Sequence, residues 1–183
     1  MIPLALNPLA VPMAVAGRGP AALRRLLGLR VGGARDVLLF SDQPSPDLER
    51  DVGPLLRDHL PDRAELGLLR VLWIVGLPDG LAADLTTLAR SARVLVNVED
   101  RSALCDFHNV AEVRRGDLLL TVSTGGASPG LSARIRTQLA TEFGPEWGER
   151  LALLRNQRAA WRGQGRDVVA ETAALLQANG WLS

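Results

Sequence analysis

The chain has 183 residues, 47% of them hydrophobic, which fits one domain, or one domain with a helical or dimer-forming extension. Its formal net charge of +1 argues against a general nucleic-acid-binding protein. All 21 basic residues are arginine, so lysine is excluded as a general base or Schiff-base nucleophile. One cysteine excludes an internal disulfide framework and a CxxC zinc site, and indicates a reducing, cytoplasmic compartment.

The N-terminal segment, residues 1–17, is apolar but does not match a signal peptide. It lacks a basic n-region and is interrupted by Pro3, Pro8 and Pro12. A first buried strand is therefore the better interpretation. No apolar run approaches the length of a membrane span, so we expect no association with a membrane.

In the first half of the chain, short apolar runs alternate with segments of helical spacing. Strands are predicted at 12–16, 36–42, 68–76 and 93–100. Helices are predicted at 17–33, ended by Gly32 and Gly33, and at 79–92 with Asp79 as a plausible cap, and residues 44–60 have a helical tendency. Continuous apolar strands alternating with helices predict an α/β fold with a Rossmann-like parallel sheet covered on both faces.

The second half has a different character. One further strand is predicted at 116–126, followed by a helix with Ser128 as its cap and Pro129 in its first turn. Residues 148–182 indicate one or two amphipathic helices, broken near 162–165. The tail also holds Trp147, Trp161 and Trp181, for which core or dimer packing is a better explanation than stacking on a ligand.

A glycine loop, Gly17-x-Gly19-x-x-Ala22, follows the first strand and opens the first helix. This spacing is typical of dinucleotide sites, where a helix N-terminus faces the pyrophosphate. Asp42, at the end of the second strand, could accept the ribose hydroxyls, which favours NAD over NADP. Arg18 could instead reach a phosphate, and Pro20 suits the first helical turn but removes one N–H donor. The alternative is a tight strand-to-helix turn in a fold of the same class.

The fourth strand ends in two carboxylates, Glu99 and Asp100, with Cys105 and His108 shortly after. Ligands of open α/β sheets bind beyond the carboxyl ends of the strands, so Asp100 should share an edge with the glycine loop. A metal site, an acid/base site and a solvated loop are all open on this evidence. Cys105 is expected to be a small buried residue, and His59 to lie on the surface. His108 has no second histidine nearby, so no metal cage is predicted.

The order of four segments resembles one known family. "GRGPAALRR", "SPDLE", "VLVNVEDRSALCDF" and "VRRGDLLLTVSTGGASPGLSARIR" are collinear with the siroheme synthase N-terminal module, the NAD-dependent precorrin-2 dehydrogenase / sirohydrochlorin ferrochelatase. The resemblance covers roughly residues 1–145, and residues 94–136 are its most specific part.

The resemblance implies a catalytic role for Asp100, as base in dehydrogenation and as an aid to metal insertion. It places dinucleotide contacts at Pro20 and Ala21 on the glycine loop and at Asp42 and Gln43 at the end of the second strand. Together with the loop pattern, the predicted cofactor residues are Gly17, Arg18, Gly19, Pro20, Ala21, Asp42 and Gln43. Thr124 falls where some members carry a modifiable serine. The family is a homodimer that exchanges the strand and helix of the second half across the interface.

The implied substrate, precorrin-2, is a tetrapyrrole with eight carboxylates. Arginine side chains beyond the sheet are suited to pair with these groups, and the candidates are Arg114, Arg115, Arg134 and Arg136. A solvated face is the alternative interpretation of these arginines. Fe²⁺ would be a second substrate if ferrochelation is retained.

The resemblance divides the chain into a dinucleotide-binding Rossmann-like domain at 1–112, a dimerisation region at 113–145 and a helical C-terminal region at 146–183. The methyltransferase domain that some members append is absent from the sequence, which would leave upstream methylation to another protein.

Three positions depart from the usual family pattern. Arg18 replaces the central glycine of the loop, Pro20 replaces its next residue, and Val110 stands where members usually carry proline. The exit of the third strand, "GLPD", also differs from the common form. These changes favour an alternative function, a catalytically silent dinucleotide- or tetrapyrrole-binding dimer that acts as a sensor.

Overall fold

The computed structural model describes residues 2–182, which form two compact units, one up to Asn109 and one from Val110 onward. The division falls just before the strand that spans the expected boundary at 112.

The first unit is a five-stranded parallel sheet with helices on both faces. In chain order its elements are β1 (Met13–Gly17), α1 (Gly19–Val31), β2 (Leu38–Phe40), α2 (Pro46–Val52), β3 (Leu56–Arg57), α3 (Arg63–Gly67), β4 (Val71–Val75), α4 (Asp79–Ser91) and β5 (Leu95–Val98). The strand order is β3-β2-β1-β4-β5. The predicted Rossmann-like α/β class is therefore confirmed.

The apolar runs of the sequence become the central strands because both faces of the sheet are covered. Every residue of β1 and of β4 is buried. One core cluster contains Leu26 of α1 and Leu48 of α2, and the other contains Leu66 of α3 and Leu85 of α4. A fully buried aliphatic or aromatic side chain stabilises the fold by about 1.5–3 kcal/mol, so these two clusters hold the helices on the sheet.

The register brings the strand ends together at one edge of the sheet. Gly17 pairs with Val75, and Ile74 pairs with Val98, so β1, β4 and β5 end side by side. β2 ends next to β1, since Ala16 pairs with Phe40. The loops that follow these four strands therefore meet at the same edge.

Three features of the first unit differ from the sequence prediction. Asp79 is not the cap of α4: Pro78 holds that position, and the Asp79 carboxylate binds Arg101 instead. The segment after α2 forms a 3₁₀ turn at Gly53–Leu55 and the two-residue strand β3, rather than continued helix. Helix α3, which begins in a capping box formed by Asp62 and Glu65, was not predicted, because five residues are too few to show a helical period.

The second unit consists of a hairpin and three helices. Its elements are β6 (Ala111–Arg115), β7 (Leu118–Val122), α5 (Pro129–Glu142), α6 (Trp147–Gly163) and α7 (Val168–Ala178). The predicted strand at 116–126 corresponds to β7, and its antiparallel partner β6 was not predicted. The Ser128 hydroxyl accepts the Leu131 N–H at 3.2 Å and caps α5 as predicted. The tail forms two helices that are broken after Gly163, also as predicted.

The tryptophans of the tail pack within the second unit, in agreement with the prediction. Trp147 and Trp161 are buried. The Arg150 guanidinium lies 4.9 Å from the ring centre of Trp147 and 5.0 Å from that of Trp181, which is the geometry of a cation–π contact. No helix among residues 2–182 combines the length and the apolar character needed to cross a membrane.

Candidate functional site

The glycine turn after β1 lies close to the neighbouring strand. A Cβ atom on Gly17 would overlap the carbonyl group of Val75, so only glycine fits there. Gly19 has φ +65°, and a Cβ atom added to it would meet nothing within 4 Å. Ala22 is fully buried between α1 and the sheet. The turn therefore has the small residues that a dinucleotide needs for a close approach to the backbone.

The N-terminus of α1 is suited to an anion. Arg18 is its N-cap residue, but no side chain caps the helix, and no acidic residue lies in the first turn. The amides of Gly19 and Ala21 are available as donors, whereas Pro20 has none. The donors and the positive end of the helix dipole fit a pyrophosphate, with one donor fewer than usual.

The predicted ribose-binding carboxylate is held by the arginine of the loop. Arg18 Nε lies 2.8 Å from Asp42 Oδ1, and Arg18 Nη2 lies 2.5 Å from Asp42 Oδ2. This bidentate hydrogen bond holds the pKa of Asp42 below its ordinary value. Gln43 follows as an exposed residue. The spacing of the sequence predicted the position of Asp42 but not this ion pair.

Ser41 is an unusual polar residue at the same strand end. Its side chain is fully buried, and its hydroxyl has no hydrogen-bond partner among the described residues. The Ser41 N–H donates to the carbonyl of Arg57 at 2.9 Å, so the backbone continues the strand. Ser41 is thus a buried polar residue that directly precedes the exposed Asp42 in the chain.

Asp100 extends from the end of β5 and is exposed. Its φ of +59° is left-handed, a conformation in which a non-glycine residue is strained. The preceding carboxylate, Glu99, is half-buried and lies 3.9 Å from a guanidinium nitrogen of Arg25 on α1. Burial lowers the pKa of Arg25, and the Glu99 charge opposes that shift. The two neighbouring acids thus have different surroundings, one paired with arginine and one facing solvent.

Contacts between loops connect the glycine turn to the Asp100 loop. The Arg18 N–H donates to the carbonyl of Val75 at 3.1 Å, and Gly76 (φ +64°) approaches the Arg18 carbonyl so closely that a Cβ would lie 2.8 Å away. Arg101 then binds the carbonyl of Leu77 at 3.0 Å. Neighbouring strands are about 4.8 Å apart, which places the ends of β1 and β5 on the order of 10 Å apart along the edge.

The segment around Cys105 forms the support of this loop. The Cys105 thiol accepts the Val98 N–H at 3.2 Å, and the Asp106 carboxylate accepts the Val96 N–H at 3.0 Å. Asn97 donates to the carbonyl of Phe107 at 2.8 Å and accepts a hydrogen bond from Asn109 at 2.8 Å. Cys105 is half-buried rather than buried as predicted, because it lies in the loop that follows the sheet edge. The supporting roles of these side chains were not predicted, because each contact joins residues 7 to 12 positions apart across a loop of irregular shape.

The two histidine side chains are not among the hydrogen-bonding groups of this network in the described part of the chain. His59 is exposed and binds Glu65, in agreement with its predicted surface position. His108 is half-buried. Among residues 2–182, no group of three or more His, Cys, Asp or Glu side chains could hold a metal ion.

The candidate arginines of the second unit have different environments. Arg115 donates to the carbonyls of Phe143, Ala140 and Arg114 at 2.8–3.0 Å, so its guanidinium is engaged within the unit. Arg114 is paired with Glu112 on the same strand. Arg134 and Arg136 are exposed on α5. Thr124 is engaged locally, since its hydroxyl bonds both the N–H and the carbonyl of Ser128.

Comparison with known proteins connects this geometry to a family. The model of a family described as "Putative NAD(P)-binding" matches residues 4–111. Siroheme synthase of Thioalkalivibrio sulfidiphilus (strain HL-EbGR7) is 32% identical over 148 residues, which cover 79% of this chain and 30% of that protein. Siroheme biosynthesis protein met8 of Schizosaccharomyces pombe is 31% identical over 136 residues, or 73% of this chain and 47% of that protein.

A solved structure, "SirC, precorrin-2 dehydrogenase", has the same fold, with a TM-score of 0.64 and 19% sequence identity over 87% of this chain and 79% of that chain. The chain thus spans 30% of the siroheme synthase it matches and 47% of the Schizosaccharomyces protein. These similarities confirm the predicted resemblance to the siroheme synthase N-terminal module. Because the family model covers more than half of its residues, the chain belongs to this NAD(P)-binding family.

Proposed function

We propose that this chain oxidises precorrin-2 to sirohydrochlorin with NAD as the hydride acceptor, a step of siroheme biosynthesis. The observation that carries the proposal is the placement of the glycine turn and the exposed Asp100 carboxylate at the same edge of one sheet, linked through the loop after β4. The siroheme-related names of the similar proteins support the same reaction.

Some residues at this edge would bind the cofactor, and Asp100 would act on the substrate. The amides of Gly19 and Ala21 would bind the pyrophosphate, and Asp42 and Gln43 lie where the adenosine ribose of a Rossmann fold is bound. When bound, the nicotinamide supplies the acceptor for the hydride. Asp100 would take the proton from the second bond that breaks, whose electron pair stays in the tetrapyrrole to form the new double bond, and would then release this proton to water. One C–H bond is broken by hydride loss and one proton leaves, so the reaction balances without another oxidant.

Asp100 is better suited to this role than Glu99. Its carboxylate is exposed at the edge, whereas that of Glu99 is half-buried and faces Arg25. The Glu99 carboxylate is thus occupied by an ion pair, whereas that of Asp100 is open to a ligand. A correctly placed general base contributes about 10²–10⁴-fold to a rate, which sets the size of the effect expected from its removal.

The decisive experiment uses enzymatically made precorrin-2 and NAD. We expect the absorbance of NADH to increase with the wild-type chain. The variant Asp100→Asn should lower kcat by about 10²–10⁴-fold without changing the thermal unfolding midpoint. Glu99→Gln is the matched control and should keep most of the activity.

Two outcomes would contradict the proposal. Full activity in Asp100→Asn would remove this residue from the role of base. A wild-type chain that binds NAD without turnover would instead support the silent sensor that the departures at Arg18, Pro20 and Val110 favour.

We also propose that Arg134 and Arg136 bind substrate carboxylates, since their guanidinium groups are exposed on α5. Arg115 is a weaker candidate, because its three nitrogens already bind backbone carbonyls. A doubled Arg134→Gln, Arg136→Gln variant should raise the KM for precorrin-2 with little change in kcat. An unchanged KM would favour the solvated-face interpretation.

Ferrochelation is a separate proposal in which Fe²⁺ is a substrate. Insertion of the metal requires loss of two pyrrole protons, and the exposed Asp100 carboxylate would accept them one after the other and release each to water. Metal insertion into sirohydrochlorin, followed by its change in absorbance without NAD, tests this activity independently of the dehydrogenase.

We propose that the chain acts as a homodimer through its second unit. Among residues 110–182, only Val113, Trp147 and Trp161 are buried apolar side chains. No residue of β7, α5 or α7 is buried, although β7 contains three consecutive leucines. A two-stranded hairpin with half-exposed faces is marginal in water, which favours completion of this unit by a second copy.

A further inference from the structure

We propose that Arg18 and Asp42 act together as the cofactor-selecting pair and that, through Arg18, the site accepts the 2′-phosphate of NADP as well as the free ribose of NAD. This inference rests on the proposed dinucleotide site and goes beyond it, because a carboxylate at the end of β2 normally excludes NADP.

The first step of the argument is electrostatic. A lone carboxylate at this position would repel a 2′-phosphate, but Asp42 is joined to Arg18 by two hydrogen bonds of 2.5 and 2.8 Å. The pair is neutral as a unit. The repulsion that gives an unpaired acid its preference for NAD is therefore largely cancelled.

The second step concerns the donors that remain. Arg18 uses Nε and Nη2 for Asp42, which leaves Nη1 for another acceptor. About 20% of the Arg18 side chain and 31% of the Asp42 side chain are exposed, so a ligand can reach both. Guanidinium groups bind phosphate by charge-assisted hydrogen bonds, so the free edge of Arg18 is a suitable phosphate contact.

The third step is the position of the pair. Arg18 lies within the glycine turn, directly before α1, and Asp42 follows the adjacent strand β2. The pair therefore lies where the adenosine ribose of a Rossmann fold is bound, next to the proposed pyrophosphate site.

The test measures the binding of NAD⁺ and NADP⁺ to the full chain by calorimetry. For the wild-type chain we expect two Kd values that differ by no more than about tenfold, because the neutral pair leaves no net charge to reject the 2′-phosphate. Arg18→Gln should lower the affinity for NADP⁺ relative to NAD⁺ by about tenfold or more, because it exposes Asp42 as an unpaired charge. Asp42→Asn should change the ratio in the opposite direction, because it releases the guanidinium for the phosphate.

Arg24→Gln is the matched control, since Arg24 is an exposed arginine on the same helix. It should leave the ratio of the two affinities unchanged. Because the readout is a ratio of two ligands on one protein, partial unfolding of a variant lowers both affinities and does not imitate the effect.

The outcomes separate this inference from the proposed function. Binding of both nucleotides with the same ratio in the wild-type chain and in Arg18→Gln would overturn the role of the pair and leave the dinucleotide site intact. Exclusive binding of NAD⁺ by the wild-type chain would overturn it as well. If neither NAD⁺ nor NADP⁺ bound to the wild-type chain, both the role of the pair and the proposed dinucleotide site would be overturned.

Discussion

Two non-glycine residues in the described part of the chain have left-handed backbones, Arg93 with φ +62° and Asp100 with φ +59°. This conformation costs an L-residue on the order of 1–2 kcal/mol, and glycine avoids the penalty. Arg93 follows Ala92, the C-cap residue of α4, at a position where glycine is the usual residue. Asp100 has the same strained conformation but lies at the candidate site, whereas Arg93 lies only at the end of a helix.

The matched pair Arg93→Gly and Asp100→Gly separates stability from activity. Each substitution should stabilise the fold by roughly 1 kcal/mol, because each relieves a strained φ. Only Asp100→Gly should abolish turnover. Urea unfolding followed by the NADH assay measures both effects. A loss of stability in Asp100→Gly would show that its carboxylate supports the fold.

His59 gives the fold a modest dependence on pH. Its imidazole Nε2 lies 3.1 Å from a Glu65 oxygen, and its Nδ1 lies 3.5 Å from Asp58. The hydrogen bond to Glu65, followed by that to Asp58, raises the pKa of His59 above 6.5. The stabilisation is therefore complete below pH 6.5 and is lost as the pH rises through the folded-state pKa.

His59→Gln should remove this dependence on pH. The urea midpoint of the wild-type chain should fall slightly from pH 6 to 8, and that of the variant should fall less over the same interval. Because the imidazole is about half exposed, we expect a small difference. Equal slopes in the two proteins would assign the dependence to other groups.

The positions of Asp42 and Asp100 were accessible from the sequence, because each directly follows an apolar run that had to be a buried strand. The partner of Asp42 was not. Arg18 and Asp42 are 24 residues apart, and they meet only because β1 and β2 are neighbours in register. Asp79 is a second example of a long-range partner that the sequence does not reveal. Its carboxylate, which was predicted to cap a helix, instead accepts a hydrogen bond from Arg101, 22 positions away.

Helix α5 is held at both ends by side chains. Ser128 binds the N–H of Leu131 at its start, and Arg115 binds the carbonyls of Ala140 and Phe143 at its end. A cation at the last carbonyls is also attracted to the negative end of the helix dipole and stabilises the helix. Arg115, which was predicted to bind substrate, thus connects the end of α5 to β6.

Arg115→Ala should therefore lower the free energy of unfolding by about 1–3 kcal/mol, because it leaves charge-assisted hydrogen bonds unmade. Ser128→Ala should cost about 1 kcal/mol through loss of the cap. Arg136→Ala, an exposed change on the same helix, serves as the control and should have little effect. Chemical denaturation of the three variants measures the series, and equal values for Arg115 and Arg136 would contradict the structural role.

Whether a strand or helix could be predicted from the sequence depended on its length and on the regularity of its apolar pattern. The strands β1, β4 and β5 and the long helices were predicted, because continuous apolar runs and helical spacing extend over enough residues. β6 was missed because its sequence, AEVRR, has one buried residue, Val113, between charged side chains. β6 is a strand because it pairs with β7, and this pairing cannot be predicted from the local sequence of β6.

The two units differ greatly in the completeness of their cores. The first has two buried clusters, and the second has exposed or half-exposed leucines along β7 and at Leu131 on α5. The fold class was predictable, since alternating strands and helices permit few arrangements. What completes the second unit was implied only by the family resemblance.

Sedimentation velocity tests the proposed dimer. The wild-type chain should sediment as a dimer, and Leu131→Glu should shift it towards monomer by placing a charge on the half-apolar face of α5. Leu27→Glu is the control, because Leu27 is similarly exposed but belongs to α1 of the first unit. A monomeric wild-type chain at all concentrations would end the proposal.

The parallel direction of the sheet separates its two rims. Residues 8–13 border a hollow of about 290 Å³ with residues 34–37, at the rim where β1 starts, and β1 then spans five residues, roughly 16 Å, to the glycine turn. Leu9 is 82% exposed on that remote rim. A fluorophore coupled to Leu9→Cys would therefore report tumbling by anisotropy, and exchange of subunits in the proposed dimer, from the rim opposite the proposed nucleotide site. The native thiol is hydrogen-bonded to backbone groups and would compete little for the dye.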